Sequence, residues 1–273
     1  MPKPVDIVVV SYNSAGVLGP TLAGLCALGA ASVTVVDNHS SDDSAAIARD
    51  AGADVIENAR NLGFGTACNT GAAEGTAGLI LFVNPDARVT PPALEALLDA
   101  AERHPDAAGF NPQILNQDGS PYLRGPGLGG RHLPAPEAFA DGEIDTLSGA
   151  VLLCRRVAFE QIGGFDPQIF LFFEDDDLAM RLRAEGWALR QAGAAHVPHA
   201  IGTGSAPALR TLLFKERCFA RARRYLAAKH GIAFDRRREA LRALRRLILA
   251  CLTLDRTRVL RNLGRLQGYL GSS

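Results

Sequence analysis

The sequence has few of the features that mark secreted or membrane-spanning proteins. Its five cysteines are scattered and odd in number, without the paired spacing of a metal site or a disulfide framework. We therefore expect free thiols in a reducing compartment. No apolar run approaches the roughly 20 residues of a membrane-spanning helix, and the N-terminus has no long apolar h-region, so we expect no signal peptide. These absences predict a cytoplasmic protein. The length of 273 residues predicts one large domain, or one domain with an appendage.

The sequence also lacks a net charge, but its charges are unevenly distributed. Residues 1–205 hold 12 lysines and arginines against 25 acidic residues, a net charge of −13. Residues 206–273 hold 17 against 4, a net charge of +13. Such a basic tail predicts an anionic partner, either a membrane surface or nucleic acid. Nucleic acid is disfavoured, because the tail has neither a recognisable binding motif nor interleaved aromatic residues.

The first half of the chain alternates short apolar runs with segments rich in alanine and leucine. Continuous apolar strands that alternate with helices predict an α/β fold, with a parallel sheet covered on both faces. After the first half we expect a loop over residues 113–146, a strand over 146–156, a short helix over 157–162 and a strand at 187–190. No internal repeat is present. The expected strands of the first half are 7–10, 33–36, 55–56 and 79–83, and the expected helices are 16–28, 41–51, 66–77 and 91–104.

Three of the predicted strands end in polar residues. In parallel sheets, ligands bind beyond the carboxyl ends of the strands, so these side chains suit a nucleotide or a metal ion. Turn formation explains any one of the three segments. All three in one sheet favour a binding site. The segments are Ser11-Tyr12-Asn13, Asp37-Asn38-His39-Ser40 and Asn84-Pro85-Asp86.

Four consecutive acids, Glu174 to Asp177, follow the apolar run of residues 169–173. Mutual repulsion makes this crowding costly unless the carboxylates cap a helix N-terminus, where free N–H groups favour negative charge. Leucines and arginines interleave after the acids, as in a helix packed on a core, and Asp177 is expected to cap this helix or to pair with Arg181. A capped surface helix is the structural explanation, and a general base for proton abstraction is the functional one.

From residue 207 the pattern is helical and rich in arginine. Amphipathic helices with arginine on the polar face can lie in a membrane interface. The alternative is that the apolar stripes pack on the preceding part of the chain or on a second subunit, which leaves a homodimer open. The three stripes are Leu209, Leu212, Leu213 and Phe219; Leu241, Leu244, Ile248, Cys251 and Leu252; and Val259, Leu263, Leu266 and Leu270.

Seven segments together point to a known family. They are VVSYNS (9–14), VVDNHSSD (35–42), NLGFG (61–65), NPD (84–86), LSGA (147–150), GGFD (163–166) and EDDDL (174–178). Each is weak alone, but their order resembles the family 2 glycosyltransferases of the GT-A fold, and most closely the bacterial rhamnosyltransferase-like members. The resemblance covers roughly residues 5–205. It implies a GT-A catalytic domain over 1–205, Rossmann-like with a mostly parallel sheet and helices on both faces, and a basic amphipathic helical extension over 206–273.

The resemblance implies an inverting glycosyltransferase of cell-surface and cell-wall polysaccharide synthesis. The donor would be a nucleotide diphosphate-sugar, with dTDP-rhamnose favoured. The acceptor would be a saccharide or a lipid-linked saccharide at the inner face of the cell membrane. A catalytically silent scaffold of a polysaccharide assembly complex is the alternative. A nucleotidyltransferase would need a glycine-rich loop with a basic residue after the first strand, but no lysine or arginine occurs there before Arg49.

The resemblance also implies roles for individual residues. Asp37 would accept a hydrogen bond from the nucleotide base in a pocket lined by Ser11 and by Tyr12, whose ring would stack. Asp175 would be the general base that takes the proton of the acceptor hydroxyl. The other implied substrate-binding residues are Asn13 at the pocket rim, Asn61, Gly63 and Asn69 beside the nucleotide-sugar, Asn84, Gly149 and Ala150 beneath the donor sugar, and Glu174 beside the base.

A divalent cation is implied at the diphosphate. Asn84 stands at the first position of the family's Asp-x-Asp motif, and Asp86 remains as the candidate ligand for Mg²⁺ or Mn²⁺. His199 would complete the ligand set. The family's final His-x-x-Gly-x-Ser element is loosely matched here, so His196 stays open as the alternative.

Overall fold

The computed structural model describes residues 5–123, 125, 127–128, 133, 136–199 and 209–271. Contacts divide the chain into two units. We call Met1–Asp166 with Asp175–Ala206 the sheet unit, and Pro167–Glu174 with Pro207–Ser273 the helical unit. The boundary that we predicted between residues 205 and 206 lies outside the described residues and stays a prediction.

The sheet unit contains eight strands and most of six helices within its described residues. The strands are β1 (Val5–Ser11), β2 (Ser32–Asp37), β3 (Asp54–Glu57), β4 (Leu79–Val83), β5 (Ala107–Leu115), β6 (Gly142–Glu143), β7 (Val151–Arg155) and β8 (Ala188–Pro198). The helices are α1 (Ala15–Cys26), α2 (Ser44–Asp50), α3 (Phe64–Glu74), α4 (Pro91–Arg103), α5 (Arg156–Gln161) and α6 (Glu174–Ala184).

The strands form one mixed sheet in the order β3-β2-β1-β4-β7-β5-β8-β6. Pairing is parallel from β3 to β4 and between β5 and β8. It is antiparallel where β7 lies between β4 and β5, and where β6 joins β8. The predicted α/β architecture is confirmed, and the antiparallel pairs belong to the second half, where the sequence shows no strand–helix alternation.

Helices cover both faces of this sheet, as predicted. Because side chains alternate along a strand, Ile7 and Val9 of β1 face one core cluster, which includes residues of α1 and α4. Val8 and Val10 face the other cluster, which includes residues of α3, α5 and α6. The continuous apolar sequence of β1 therefore reflects burial on both faces.

Two strands were not predicted from the sequence, and a third is longer than predicted. The predicted loop over 113–146 is wrong at both ends, because β5 extends through Leu115 and β6 pairs with β8 at residues 142–143. Glycine, asparagine and proline inside β5 weaken its strand signal, and pairing with β7 and β8 overrides it. In the same way β8 extends past the predicted residues 187–190 to Pro198.

The helical unit contains α7 (Leu209–Lys229), α8 (Arg236–Leu252) and α9 (Arg256–Leu270), which confirms the predicted helical extension. In α9, a Cβ atom at Gly264 or Gly268 would lie 2.5 Å from a carbonyl oxygen of α7, so the close approach of these helices requires glycine. The ring of Phe219 in α7 contacts Phe172 and Phe173, with centroid distances of 5.8 and 4.9 Å.

None of the helices described by the structure is long and apolar enough to cross a membrane. All five cysteines lie within the described residues and are free thiols, as predicted. Complete burial raises the pKa of the Cys154 thiol to about 12.

Candidate active site

The parallel register brings the ends of β1 and β2 together. Ser11 is the partner of Asp37 across the ladder, and both side chains are buried. Ser11 Oγ and Asp37 Oδ1 have no hydrogen-bond partner within the described part of the chain. A buried polar atom without a partner costs roughly 1–3 kcal/mol, so these two atoms are candidate contacts for a ligand. The side chain of the next residue, Tyr12, is 44% exposed.

Asn13 links the loops that follow β1 and β2. Its backbone lies in the left-handed region, with a φ of 52°. Its N–H donates to Ser40 Oγ at 2.9 Å, and its side-chain oxygen accepts from the N–H of Ser41 at 2.7 Å. Ser40 in turn donates its N–H to Asp37 Oδ2 at 2.9 Å. Asn13 therefore holds the rim around Asp37 through contacts within the protein.

Asn38 fixes the loop between β3 and α3. Its amide nitrogen donates to Asn61 Oδ1 at 3.0 Å and to the carbonyl oxygen of Gly63 at 3.1 Å. Its own side-chain oxygen accepts from the N–H of Leu62 at 2.9 Å. Gly63, with a φ of 87°, precedes α3. Asn61 and Gly63 are thus positioned by Asn38. The sequence analysis placed Asn38 among the polar strand-end residues suited to a ligand and did not predict this structural role.

Asn69 makes two hydrogen bonds to the backbone of Phe165. Its amide nitrogen donates to the Phe165 carbonyl oxygen, and its oxygen accepts from the Phe165 N–H, both at 2.8 Å. A Cβ atom at Gly164, where φ is 70°, would lie 2.6 Å from Asn69 Oδ1. The Gly-Gly-Phe-Asp segment therefore fits against α3. The contact of Asn69 with a nucleotide-sugar stays a prediction.

The turn before β7 joins the acidic helix to the end of β4. The N–H of Gly149 donates to Asp175 Oδ2 at 3.0 Å, and the carbonyl oxygen of Ala150 accepts from the N–H of Asn84 at 2.8 Å. Asn111 of β5 holds this turn, because its amide nitrogen donates to the carbonyl oxygens of Ser148 and Val151 at 2.9 and 2.7 Å. Asn111 lies inside a strand that the sequence analysis missed, so it too was missed.

The Asn-Pro-Asp segment meets the end of β8. His199 Nε2 lies 2.9 Å from Asp86 Oδ1 and 3.5 Å from Asn84 Nδ2. The side chains of Asp86 and His199 are only 5% and 11% exposed. His196 is exposed, and its ring contacts Phe139 with a centroid distance of 5.0 Å. The structure thus places His199, rather than His196, beside Asp86. The loosely matched Gly-x-Ser positions lie outside the described residues.

The acidic cluster begins a helix, as predicted, and its members are not equivalent. Asp177 is completely buried and accepts from Arg181 Nε at 2.7 Å, which confirms the predicted pair. Arg181 also donates to the carbonyl oxygen of Ile162 at 2.9 Å. Glu174 and Asp176 are buried, whereas Asp175 is partly exposed. Asp175 is therefore the most exposed of the three acids of the cluster that lie in the sheet unit.

The Asp86–His199 pair has the chemistry of a partial metal site. No cluster of three or more histidines, cysteines or acids suited to a metal ion occurs within the described ranges. The two facing donor atoms are 2.9 Å apart, which is a hydrogen-bond distance, and a carboxylate oxygen and an imidazole nitrogen are both atom types that bind divalent cations. Ions such as Mg²⁺ are commonly held by one or two protein side chains together with substrate phosphates. The pair fits an ion whose remaining ligands come from a substrate.

Comparison of the sequence with known families identifies the family of this chain. Residues 6–163 match the Glycosyl transferase family 2 domain, and the chain belongs to that family.

The chain also resembles individual proteins of known name. It is 35% identical over 240 residues to the N-acetylglucosaminyl-diphospho-decaprenol L-rhamnosyltransferase of Mycobacterium tuberculosis, covering 74% of this chain and 78% of that protein. A shorter match, 32% identical over 73 residues, joins 27% of this chain to 28% of the rhamnosyltransferase WbbL of Escherichia coli.

Solved structures share the fold at low identity. The mannosyltransferase PcManGT of Pyrobaculum calidifontis, solved with GDP-Man and Mn²⁺, matches with a TM-score of 0.62 at 12% identity, over 100% of this chain and 89% of that one. GalNAc-T7, solved with UDP, GalNAc and Mn²⁺, matches with a TM-score of 0.60 at 15% identity, over 98% of this chain and 56% of that one. These likenesses show the GT-A fold.

Proposed function

We propose that the protein is an inverting, metal-dependent glycosyltransferase of cell-surface polysaccharide synthesis. It moves a sugar, with rhamnose favoured, from a nucleotide diphosphate-sugar to a hydroxyl of a saccharide or lipid-linked saccharide. One observation carries the proposal. A continuous series of contacts runs from Asp175 through Gly149, Ala150 and Asn84 to His199 and Asp86. A candidate base and a candidate diphosphate site thus lie in one region of the sheet unit.

The ends of β1 and β2 suit the nucleoside part of the donor. Asp37 Oδ1 and Ser11 Oγ are buried without partners in the described residues, so an N–H group of the base can satisfy the carboxylate. The exposed ring of Tyr12 can stack on the base. The Mycobacterium tuberculosis relative is named as a rhamnosyltransferase acting at a diphospho-decaprenol. This name supports dTDP-rhamnose as the donor and a lipid-linked acceptor.

Asp86 and His199 would hold Mg²⁺ or Mn²⁺ beside the diphosphate. When bound, the ion acts as a Lewis acid that stabilises the charge of the departing nucleotide diphosphate. Mn²⁺ in both of the solved GT-A structures described above supports such an ion. The backbone N–H of Asn84 donates to the carbonyl oxygen of Ala150, and the side-chain amide of Asn84 lies beside His199.

Asp175 would take the proton of the acceptor hydroxyl during attack on the donor sugar. The Gly149 N–H donates to its Oδ2, and the Asp176 N–H donates to its Oδ1 at 2.9 Å. These two bonds orient the carboxylate, and its partial exposure leaves room for an acceptor. A Cβ atom at Gly149 would lie 3.3 Å from the ring of Phe64, so a larger residue would crowd the position beneath the donor sugar.

Replacement of Asp175 by asparagine tests the assignment of the base. Asparagine keeps the shape and a hydrogen-bond acceptor but cannot take the proton, so Asp175→Asn should lower kcat by about 10²–10⁴-fold. The Kd for the donor should stay within about twofold. Turnover of radiolabelled sugar to acceptor and calorimetric titration of the donor measure the two quantities. Glu185→Gln, an exposed change just beyond α6, is the control, and an Asp175→Asn enzyme as active as this control contradicts the assignment.

Replacement of the Asp86–His199 pair tests the metal site. Loss of a metal ligand should cost at least as much affinity as loss of an outer-shell partner, about 10–100-fold. Asp86→Ala and His199→Ala should therefore each raise the Kd for Mn²⁺ at least tenfold in the presence of dTDP, as measured by electron paramagnetic resonance of free Mn²⁺. His196→Ala, three residues away, should leave this Kd unchanged. Equal effects of the two histidine variants would reject His199 as a ligand.

We also propose that α8 associates with an anionic membrane surface. Its apolar residues Leu241, Leu244, Ile248 and Leu252 recur on one face and are 39–77% exposed. Exposed arginines at 237, 238 and 245 flank this face. Attraction to an anionic leaflet contributes roughly 1 kcal/mol per arginine near the surface, and the apolar face adds burial in the interface. The acceptor of the named relative, a lipid-linked saccharide, would lie at such a surface.

Sedimentation with vesicles tests this association. The protein should pellet with phosphatidylglycerol vesicles at low salt, and less so as salt rises, because ions screen the attraction. The double variant Ile248→Ser and Leu252→Ser should bind at least tenfold more weakly, since it removes apolar burial. Val157→Ser changes an exposed apolar residue of α5 and should bind like the original protein. Vesicle binding that changes neither with the salt concentration nor on the double substitution would count against the proposal.

A further inference from the structure

The helical unit contains a cavity whose lining includes four arginines. The cavity lies between α7, α8 and α9 and has a volume of about 430 Å³, within the range of roughly 300–1,000 Å³ typical of small-ligand sites. Arginines 223, 242, 246 and 265 line it, together with Glu239 and Tyr269. None of these residues belongs to the site proposed for glycosyl transfer, so the cavity is unassigned.

Positive charge in and around this cavity exceeds the negative charge available to neutralise it. Glu239 accepts from both Arg223 and Arg242, at 3.3 and 2.5 Å. Glu216 of α7, behind the lining, is shared in the same way by Arg265 at 2.6 Å and Arg261 at 3.0 Å. Each carboxylate therefore serves two guanidinium groups, and the lining alone, with four arginines and one glutamate, carries a net charge of +3.

Arg246 lies exposed at this cavity and makes no hydrogen bond or ion pair with the residues that the structure describes. Its place on α8 follows from helical spacing, because Glu239, Arg242 and Arg246 recur at intervals of three and four on one face. The membrane-facing residues proposed above lie on the opposite face of α8. The guanidinium of Arg246 is thus directed by its helix to the cavity without a structural partner there.

Two other arginines of the lining are oriented by aromatic rings. The Arg265 guanidinium lies 5.3 Å from the centroid of Phe219, and that of Arg223 lies 5.4 Å from the centroid of Phe234. Tyr269 OH accepts from Arg223 at 3.4 Å. Ring contacts of this kind hold the planar fork of arginine in a fixed direction, so less conformational freedom is lost when the fork binds an anion.

Crowding of positive charge extends to the neighbouring residues of the same unit. Burial, together with the charges of Arg236 and Arg221, lowers the pKa of Arg224 from its usual value. An anion bound near these helices reduces such repulsion. The planar guanidinium of arginine can donate two parallel hydrogen bonds to phosphate oxygens. The ammonium group of lysine does not reproduce this geometry.

We propose that the cavity between α7, α8 and α9 binds a phosphate-bearing anion, with a phosphate or diphosphate group held by Arg242, Arg246 and Arg223. The carboxylate of Glu239 keeps two of these arginines in place, and the ligand supplies the negative charge that the lining lacks. A soluble diphosphate and the phosphate headgroup of a lipid present the same chemistry to these side chains.

Calorimetric titration of the full chain with inorganic pyrophosphate tests the site. EDTA is included, so that binding at the proposed metal-dependent donor site is suppressed. Arg246→Gln should raise the Kd for pyrophosphate about tenfold, which corresponds to one charge-assisted contact of about 1.4 kcal/mol. Arg245→Gln removes the same charge from the neighbouring exposed position, outside the lining, and should change the Kd less than about twofold.

The outcomes of this titration separate a built site from general attraction. Equal weakening by the two variants, or no saturable binding, overturns the proposal. Hydrogen–deuterium exchange should show protection by pyrophosphate in α8 and α9, and protection only in the sheet unit also overturns it. A failure here leaves the turnover test of Asp175→Asn untouched, because that test does not depend on this cavity.

Vesicles distinguish the two sources of the phosphate. If the ligand is a lipid headgroup, Arg246→Gln weakens sedimentation with phosphatidylglycerol vesicles more than Arg256→Gln does, and pyrophosphate competes with the vesicles. Arg256 is an exposed arginine of α9 that lies outside the lining and outside the proposed membrane face of α8. If the ligand is soluble, these two variants sediment alike, while only Arg246→Gln raises the Kd for pyrophosphate. Both results support a phosphate site, and phosphatidylcholine vesicles, which lack net charge, give the baseline.

Discussion

The backbone ladder between β1 and its two parallel neighbours is the constraint on which the proposed site depends. It aligns Ser11 with Asp37 and places the end of β4 beside the end of β1. Polar residues that are far apart in the sequence therefore lie together beyond the carboxyl ends of these strands. A slip of one residue would turn Ser11 to the opposite face of the sheet. Asp6 of β1 opposes such a slip, because its carboxylate accepts hydrogen bonds from Arg156, from the Ala77 N–H and from Ser32 Oγ.

Asparagine side chains convert this ladder into a defined site. Asn13 and Asn38 each join two loops, and Asn111 of β5 holds the turn before β7, in each case through hydrogen bonds to backbone groups. Because an asparagine both donates and accepts, one side chain can replace the backbone pairing that irregular loops lack. The position of Asp175 depends on such a loop, since its carboxylate accepts from Gly149 in the turn that Asn111 holds. Preorganisation of this kind keeps a base and a leaving-group site in place before substrate binds.

The sequence predicted the parts of the molecule that local pattern determines. Strands β1 and β4 contain continuous apolar runs, β2 and β3 contain shorter apolar segments, and α4 begins at a proline pair, so each was readable from neighbouring residues alone. Strand β5 was not, because Gly109 and Pro112 lower its strand propensity and only pairing with β7 and β8 stabilises it. Likewise, the sequence could not predict which of His196 and His199 lies beside Asp86, because this depends on how the end of β8 meets Asp86. The hydrogen bonds of Asn61 and Asn69 could not be predicted either, because the spacing of residues in the sequence does not identify their partners.

Binding of the donor tests most directly whether these strand ends form one nucleotide-sugar site. Hydrogen–deuterium exchange of the protein with dTDP-rhamnose and Mn²⁺ measures which backbone amides the ligand protects. The account predicts slower exchange in residues 11–14, 37–41, 61–65 and 84–87, because the ligand orders the loops at the carboxyl ends of β1, β2 and β4 and before α3. Unchanged exchange in all four segments, while the donor is bound elsewhere in the chain, would contradict it.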